Sequence, residues 1–351
     1  MILDDAAAVC RSVDFSELAG EKTILITGAS GLIGNYFLAC LRLLKLERQY
    51  KFKLVAVMRS EPPAYLKELL DFDGASIVGG EITDYEFCRS LPAADFIIHA
   101  AGYGQPGKFM EDQVKTLKLN TFSTLLLFEK LLSAGKFLFV STSEVYSGSP
   151  DLPYRETDIG RTNTDHARSC YIEGKRCGEA ICNAYRARGV DAKSARLSLA
   201  YGPGTKPGDA RVLNSLIAKG IQGKVGLMDQ GEAKRTYCYV TDAVEIMWNA
   251  LFRGKDAIYN VGGTSKTTIR ELALEIGKRL GVSVVFPEKG PEQLKSPGKG
   301  APDDVCLDMT KADEQFGKKE FVPFSTGLEK TIEWQKIMYL DGSKTMVGTS
   351  K

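Results

Sequence analysis

A short apolar strand that leads through a glycine turn into an apolar helix constrains this chain more than any other feature. Residues 23–27 are apolar or β-branched, and Gly28, Gly31 and Gly34 follow in the spacing G-x-x-G-x-x-G before the helical residues 35–46. Glycines let the backbone approach a pyrophosphate, which accepts hydrogen bonds from the amides of the first helical turn. The pattern predicts a parallel α/β sheet with a dinucleotide site at its first turn.

Apolar runs of strand length alternate with helical segments beyond this turn, which predicts a parallel sheet with helices on both faces. We expect an α/β fold: a Rossmann-type doubly wound parallel sheet over 22–200 and a smaller C-terminal substrate-binding α/β region over 201–340, with some segments returning to the sheet. Residues 1–21 would be an N-terminal extension and 341–351 a frayed tail. The predicted strands are 23–27, 53–58, 75–79, 95–100, 137–140, 191–197, 235–240 and 259–261; the predicted helices are 64–71, 112–133, 171–188, 211–220, 241–252 and 268–280, with loops at 103–111 and 288–303.

The composition argues against several classes of protein. The chain has 351 residues, more than one typical core holds, and a net charge of +2 without a basic run, so nucleic acid is not an expected partner. Its eight cysteines form no C-x-x-C pair, which argues against a disulfide framework or a metal site. Asp4 and Asp5 are unlike a signal peptide, and no apolar run reaches the length of a membrane helix. We expect a cytoplasmic protein without a membrane partner.

Two polar side chains stand one helical turn apart in the segment YIEGK. Tyr171 and Lys175 are four residues apart in a predicted helix, so they share one face. A phenol with a pKa near ~10 is a poor base at neutral pH, but a neighbouring ammonium favours the phenolate. The pair predicts a tyrosine base whose pKa the lysine lowers, although this spacing also occurs by chance on helix surfaces.

The predicted strand 137–140 brings further polar groups to the same edge of the sheet. Four polar residues, Ser141 to Glu144, follow it directly. Ligands of open α/β sheets bind at the carboxyl ends of the strands, so we expect this segment to face the substrate. The alternative for Glu144 is a strand-end carboxylate bonded only to backbone. His99, between Ile98 and Ala100, is expected to be a core residue and not a base.

The identity of the dinucleotide depends on Arg59, at the end of the second predicted strand. A site for NAD usually carries an acidic residue there, which binds the ribose hydroxyls. Arg59 can instead meet the 2′-phosphate of NADP or stack on adenine, and the sequence leaves these alternatives open. We expect NAD, with NADP as the alternative. The residues expected to contact the cofactor are Gly28, Ser30, Gly31, Leu32, Ile33, Gly34, Arg59, Glu81, Ile82, Ala100, Ala101, Gly102, Asn120, Tyr171 and Lys175.

The order of the motifs TGASGLIG, STSEVY, YIEGK, YGP and QGEAKRTYCYV resembles that in the extended short-chain dehydrogenase/reductase family, the NAD-dependent epimerases and dehydratases of nucleotide sugars. The resemblance covers residues 22–335. Its most telling segments are KTLKLNT (115–121), STSEVY (141–146) and CYIEGKRCGEA (170–180), which look most like the UDP-glucuronate decarboxylases within the family.

The resemblance implies a role for each matching residue. Tyr171 would take the proton of the sugar 4-hydroxyl, and Lys175 would lower the pKa of Tyr171 and hold the nicotinamide ribose. Thr142 would hydrogen-bond near the 4-oxygen, with Ser143 and Glu144 near C5 and the carboxylate. The implied substrate-binding residues are Arg235, at the diphosphate or carboxylate end, Arg211 and Val212.

The reaction implied by the resemblance starts with oxidation of C4 of a UDP-hexuronate by tightly bound NAD. The β-keto acid then loses CO₂, and C4 is reduced again. The pair Ser143 and Glu144 favours decarboxylation, because 4,6-dehydratases of the family carry Asp-Glu there and 4-epimerases carry small or hydroxyl residues. The alternative is a nucleotide-sugar 4-epimerase or 4,6-dehydratase with the same tyrosine and lysine. A non-catalytic binding protein is less favoured, because Tyr171 and Lys175 are both present.

Two positions depart from the family pattern near the expected substrate. Leu199 stands where the family usually has Asn, and Asn214 and Ser215 are in the reverse of the usual order. These changes suggest an altered substrate. We also expect a homodimer through the predicted helices 112–133 and 171–188, because both are long and rich in apolar residues.

Overall fold

Helices and strands alternate along the chain in the computed structural model, which describes residues 1–288 and 304–340. The strands are β1 (Lys22–Thr27), β2 (Phe52–Met58), β3 (Ala75–Gly79), β4 (Ala94–His99), β5 (Leu131–Thr142), β6 (Asp191–Leu197), β7 (Ala200–Tyr201), β8 (Lys224–Gly226), β9 (Lys234–Tyr239), β10 (Ile258–Val261), β11 (Ser265–Thr268) and β12 (Ser283–Val285). The α-helices are α1 (Ile2–Ser12), α2 (Leu32–Leu46), α3 (Ala64–Leu69), α4 (Tyr85–Ser90), α5 (Pro106–Glu111), α6 (Gln113–Asn120), α7 (Phe122–Phe128), α8 (Ser169–Arg186), α9 (Val212–Ile221), α10 (Val240–Arg253), α11 (Ile269–Leu280), α12 (Thr310–Phe316) and α13 (Phe324–Leu340).

A parallel sheet with the strand order β10-β6-β5-β4-β1-β2-β3 forms the centre of the fold. The chain runs outward from β1 to β3 and then crosses back to β4 on the other side of β1, so the strand order reverses beside β1. Apolar residues on both faces of the sheet pack against helices in two large clusters. The predicted α/β class and doubly wound parallel sheet are confirmed. In such sheets the point of reversal is where ligands bind.

The predicted helix 112–133 and loop 103–111 are wrong in part. The helix is divided into α6 and α7 at Thr121, and residues 131–133 belong to β5. The side chains of Thr116, Asn120, Thr121 and Thr124 all bond to backbone carbonyls one turn earlier, which competes with regular helix bonds. The predicted loop contains α5, which begins with a proline at its first turn, a position where proline needs no amide hydrogen.

The N-terminal residues predicted to be an extension include α1, which packs against α2 and α10. Ile2, Ala6 and Val9 are buried there in the larger apolar cluster. Asp5 is also buried and accepts hydrogen bonds from the hydroxyls of Tyr36 and Tyr239, so its carboxylate is satisfied away from water. These contacts make α1 part of the core that supports the sheet.

The C-terminal part of the chain forms two small sheets, in the orders β11-β9-β7 and β12-β8, and also contributes β10, which pairs with β6 of the main sheet. Residues around β8 and β9 line the same cavity as the carboxyl ends of the main strands. None of the helices in residues 1–288 and 304–340 is long and apolar enough to cross a membrane. The predicted loop 288–303, apart from residue 288, and the predicted tail 341–351 lie outside the described residues.

Candidate active site

One large cavity of about 1020 Å³ opens at the carboxyl edge of the parallel sheet. It runs from the turn after β1 to the start of α8 and on to the loops before α9 and β9. All but one of the predicted site residues line it, and the exception is Asn120. The lining residues of the predicted set are Gly28, Ser30, Gly31, Leu32, Ile33, Gly34, Arg59, Glu81, Ile82, Ala100, Ala101, Gly102, Thr142, Ser143, Glu144, Tyr171, Lys175, Arg211, Val212 and Arg235.

The turn between β1 and α2 forms a cradle that larger side chains would fill. Gly28 has a φ of +67° and a Cβ there would lie 2.5 Å from the carbonyl oxygen of Ala100. A Cβ on Gly34 would lie 2.6 Å from the carbonyl oxygen of Ala29. No side chain of the described residues caps α2, so its first amides face the cavity unblocked. A Cβ is excluded at both positions, so the backbone of this turn is left open to close approach by a group such as a pyrophosphate.

Asn120 lies just behind the cavity wall at the end of α6. Its Nδ2 donates to the carbonyl of Thr116 at 2.8 Å, while its buried Oδ1 has no partner among the described residues. A Cβ built on Gly102 would lie 3.4 Å from Nζ of Lys175 and 3.9 Å from this Oδ1, so the two groups flank the same small space. A buried acceptor beside a lysine is the kind of place where a water molecule is bound.

Tyr171 is held by contacts on two sides. Its ring stacks on Phe109 of α5 with centroids 4.5 Å apart, and Thr142 lies on its other side, close enough to favour the phenolate form. Burial, followed by the charge of Glu144, raises the pKa of Tyr171 to about 12. The prediction that this pKa is lowered is therefore wrong for the free protein, because sequence spacing takes no account of burial.

Lys175 lies one turn further along α8 and is 4% exposed. Its ammonium donates to the carbonyl of Val140 at 2.7 Å and lies 4.7 Å from the centre of the Phe139 ring. Burial lowers the pKa of Lys175 to about 7, only partly opposed by the charge of Glu179. Burial therefore disfavours the charged form of this lysine, which weakens its electrostatic effect on the phenol.

Glu144 is paired with an arginine that the sequence analysis did not identify. Nε of Arg168 donates to Oε2 of Glu144 at 2.8 Å, and a second N–H of the guanidinium donates to Oε1. The guanidinium also lies 5.1 Å from the centre of the Phe109 ring, on which Tyr171 stacks. Arg168 stands three residues before Tyr171, so helical spacing alone would have placed it near the site. Glu144 is not merely a strand-end carboxylate bonded to backbone.

A second carboxylate and guanidinium pair lies deeper, below Lys175. Nε and a terminal nitrogen of Arg196 donate to Glu179, and Ser141 donates to the same carboxylate. Arg196 also donates to the carbonyls of Glu156 and Asp158 at 3.1 Å, so four of its five N–H groups have partners. This pair ties β5, β6 and α8 together under the cavity.

The predicted substrate arginines differ in what they contact. Arg211 forms a bidentate ion pair with Asp209, with nitrogen to oxygen distances of 2.7 to 3.1 Å. The next residue, Val212, is the first of α9. Arg235 lies on β9, donates to the carbonyl of Lys234 at 2.7 Å and lines the cavity opposite the sheet. Both side chains therefore line the cavity, one from the loop before α9 and the other from β9.

His99 is a core residue, as expected. It is fully buried, and its ring nitrogens are 2.7 Å from the hydroxyl of Thr27 and 3.0 Å from the carbonyl of Leu119. Burial lowers its pKa to about 3, which keeps the ring neutral. Among the described residues no group of three or more His, Cys, Asp or Glu side chains is placed to hold a metal ion.

The two positions that depart from the family pattern, Leu199 and the pair Asn214 and Ser215, are close to the cavity. Leu199 lines it and has a φ of +29°, a left-handed conformation that a leucine rarely adopts. Asn214 is buried and accepts a hydrogen bond from Gln335 at 3.0 Å, whereas Ser215 lines the cavity. The reversed order therefore places the serine and not the asparagine in the cavity wall.

Comparison with known proteins places these features among nucleotide-sugar enzymes. The model of the NAD dependent epimerase/dehydratase family matches residues 24–262. UDP-glucuronic acid decarboxylase 1 of Danio rerio is 28% identical over 326 residues, covering 92% of this chain and 74% of that protein. The dTDP-4-dehydro-6-deoxy-D-allose reductase of Streptomyces bikiniensis is 30% identical over 328 residues, covering 89% and 96%. The crystal structure of the dTDP-glucose 4,6-dehydratase DesIV of Streptomyces venezuelae, with NAD and TYD bound, has a TM-score of 0.77 at 22% identity and covers 91% and 99%.

Proposed function

The chain belongs to the NAD-dependent epimerase/dehydratase family, as its motifs predicted, and we propose that it decarboxylates a UDP-linked hexuronate through oxidation at C4 and re-reduction. The observation that carries this proposal is the bidentate ion pair of Arg168 and Glu144, which lies beside Ser143 in the cavity. Arg168 offsets the charge of Glu144, so a carboxylate of the substrate can lie next to it without strong repulsion. The similarity to UDP-glucuronic acid decarboxylases supports the same reaction.

The residues around C4 are suited to proton transfer. Tyr171 and Thr142 both line the cavity, so either hydroxyl can meet the 4-oxygen of a sugar. Bound NAD would accept the hydride from C4 and later return it. We expect the pKa of Tyr171 to fall from about 12 when a cationic ring lies beside the phenol, because opposite charge favours the phenolate.

Ser143 and Glu144 are proposed to act at C5. Loss of CO₂ from a β-keto acid leaves an electron pair that is delocalised onto the C4 oxygen, where Tyr171 and Thr142 donate hydrogen bonds. C5 then takes a proton from solvent, relayed by a water molecule that the Glu144 carboxylate would hold. Ser143 can hydrogen-bond the departing carboxylate where an acidic residue would repel it.

The test is to incubate the purified protein with UDP-glucuronate and NAD⁺ and to measure CO₂ and the mass of the sugar nucleotide. We expect one CO₂ per product, a product lighter by that mass and no net NADH. Tyr171→Phe should be inactive while the protein stays folded. An isomerised product of unchanged mass, or one lighter by a water molecule, would replace this proposal with the epimerase or the dehydratase.

A second candidate is reduction of a nucleotide-linked 4-keto sugar. It is favoured by Arg59, which occupies the place of the acidic residue of NAD sites, and by the similarity to an allose reductase over 96% of that protein's length. Such an enzyme would consume reduced cofactor in proportion to product. Stoichiometric oxidation of NADPH or NADH with a dTDP-linked 4-keto sugar, and inertness toward UDP-glucuronate, would select this candidate.

We also propose a homodimer formed by α6, α7 and α8. Val114, Leu117, Phe122 and Leu125 are between 38% and 65% exposed on α6 and α7, an apolar group large enough to favour burial against a second copy. Sedimentation at micromolar concentration should give twice the monomer mass. Leu125→Glu should give monomers if the prediction holds, and a monomeric unmodified protein would contradict it.

A further inference from the structure

One aromatic side chain, Phe109 of α5, contacts both groups that the proposed reaction requires. Its ring lies parallel to that of Tyr171, with an angle of 2° between the planes and 4.5 Å between the centroids. The guanidinium of Arg168, which pairs with Glu144, lies 5.1 Å from the centre of the same ring. The phenol proposed to act at C4 and the ion pair proposed to act at C5 therefore share one neighbour.

The ring of Phe109 is buried behind the cavity wall. Phe109 is 1% exposed, whereas its neighbours Lys108 and Met110 line the cavity. It belongs to a small apolar cluster with Cys170 and Tyr171. Any influence of Phe109 on a reaction in the cavity must therefore pass through the side chains that it contacts.

The backbone of Phe109 is fixed to segments on two sides of the cavity. Its carbonyl accepts hydrogen bonds from the hydroxyl of Thr116 in α6 at 3.0 Å and from the thiol of Cys170 in α8 at 3.4 Å. Its amide donates to the carbonyl of Gln105 at 3.1 Å. The side chain of Gln105 in turn accepts the amide of Ala210, in the loop before α9, at 3.2 Å. With its backbone held in this way, the ring has little freedom to move away from Tyr171.

The parallel stack restricts the orientation of the phenol. The hydrogen and the lone pairs of a phenol hydroxyl point along directions set by the plane of its ring, and a second ring lying flat against it prevents this plane from turning. The face of Phe109 also limits the orientation of the Arg168 guanidinium, because a cation is attracted to the face of an aromatic ring. A displacement of about 1 Å at a reacting group can cost about 10²-fold in rate.

We propose that Phe109 is a positioning residue, which holds Tyr171 and the ion pair of Arg168 and Glu144 so that both meet the same sugar ring. The inference rests on the proposed function for the identity of the substrate. It deepens that function, since it assigns a role to a residue that touches neither substrate nor cofactor.

The alternative is a purely structural role, and Phe128 provides the comparison within the same molecule. Phe128 is 5% exposed and stacks on Tyr185, near the other end of α8, with centroids 3.9 Å apart and 7° between the planes. Neither residue of this second stack lines the cavity. Phe128→Leu is therefore the matched control for Phe109→Leu.

The first measurement is spectroscopic and needs no substrate. The ring signals of Tyr171 are identified by nuclear magnetic resonance in protein with isotope-labelled tyrosine, from their loss in Tyr171→Phe. We expect Phe109→Leu to move these signals downfield, because the ring current of the stacked neighbour is removed, and Phe128→Leu to leave them in place. Unchanged signals in Phe109→Leu would overturn the proposal, whatever the substrate of the protein.

The second measurement is kinetic. Hydride transfer from UDP-glucuronate to bound NAD is followed in a single turnover by the absorbance of the reduced nicotinamide, together with kcat and KM for CO₂ release. We expect Phe109→Leu to lower the transfer rate and kcat by about 10-fold to 100-fold and to change KM by no more than about twofold, because the substrate-binding groups stay in place. Phe109→Tyr keeps the aromatic face and should retain the rate to within about threefold. Phe128→Leu should leave the rate and KM unchanged.

An unchanged kcat in Phe109→Leu, or an equal fall in Phe109→Leu, Phe109→Tyr and Phe128→Leu, would overturn the positioning role and leave the proposed reaction intact. Absence of CO₂ release by the unmodified protein would instead contradict the proposed reaction. The same variants are then compared in hydride transfer to or from the sugar nucleotide that the protein does accept, because the alternative reactions use the same tyrosine at C4.

Discussion

Two bidentate ion pairs, each between a glutamate and an arginine, lie at different depths along α8. We call Glu144 with Arg168 the upper fork and Glu179 with Arg196 the deep fork. Glu144 and Arg168 border the cavity, and their side chains are 21% and 5% exposed. Glu179 and Arg196 lie below them at 5% and 4% exposure, and both make further hydrogen bonds to the protein. The chemistry of the two forks is the same, but only the first can meet a substrate. The difference indicates that the deep pair holds the sheet and helix together, while the upper pair is available for the reaction.

The largest expected effect comes from breaking the deep fork. Arg196→Met should lower the free energy of unfolding by about 3–5 kcal/mol, because it leaves the buried carboxylate of Glu179 unpaired. Urea unfolding followed by circular dichroism measures this. Arg168→Met is the matched change in the upper fork and should cost less, under about 2 kcal/mol, because water can reach Glu144. Equal losses would remove the distinction between the two pairs.

The upper fork is expected to matter for turnover instead. Glu144→Gln should lower kcat with UDP-glucuronate by about 10²-fold or more, with little change in KM, because the residue acts on the proton at C5. Its free energy of unfolding should change by no more than about 1 kcal/mol. Release of CO₂ at the unmodified rate would show that Glu144 takes no part in the reaction.

A change of pH tests Lys175, which lies on α8 between the two forks. Its pKa is lowered from 10.5 to about 7 in the folded protein, so the unfolded chain binds more protons between these values. The stability contributed by this group is therefore lowest below pH 7 and rises with pH, by at most about 1.4 kcal/mol per unit. Urea unfolding from pH 7 to 9.5 should show this rise, and Lys175→Met should flatten it. An unchanged slope in that variant would place its origin in other groups.

Local patterns were sufficient to predict the parallel sheet and most of the cavity lining. The alternation of apolar runs gave the strands 75–79 and 191–197 with the bounds of β3 and β6. The glycine turn and the spacing of Tyr171 and Lys175 likewise depend on residues that are near each other in sequence. Parallel sheets present the ends of all strands at one edge, so the fold itself brings these groups together.

The features that the sequence did not predict depend on three-dimensional contacts and burial. Helical spacing places Arg168 near Tyr171, but its pairing with Glu144, 24 residues earlier, is not expressed by the local pattern. The raised pKa of Tyr171 follows from burial, which the sequence spacing does not express. The break between α6 and α7 arises from side chains that bond to their own helix, a competition that apolar periodicity does not detect.

The left-handed backbone of Leu199 offers a starting point for protein engineering. A leucine in this conformation is strained by about 1–2 kcal/mol relative to glycine or asparagine, so the chain keeps a costly residue at the wall of its own cavity. We expect Leu199→Asn to raise the melting temperature and at the same time to weaken the binding of the natural sugar nucleotide, measured by calorimetry. A gain in thermal stability without any loss of substrate affinity would instead make this position free for redesign, where the range of accepted sugars could be changed in a more stable background.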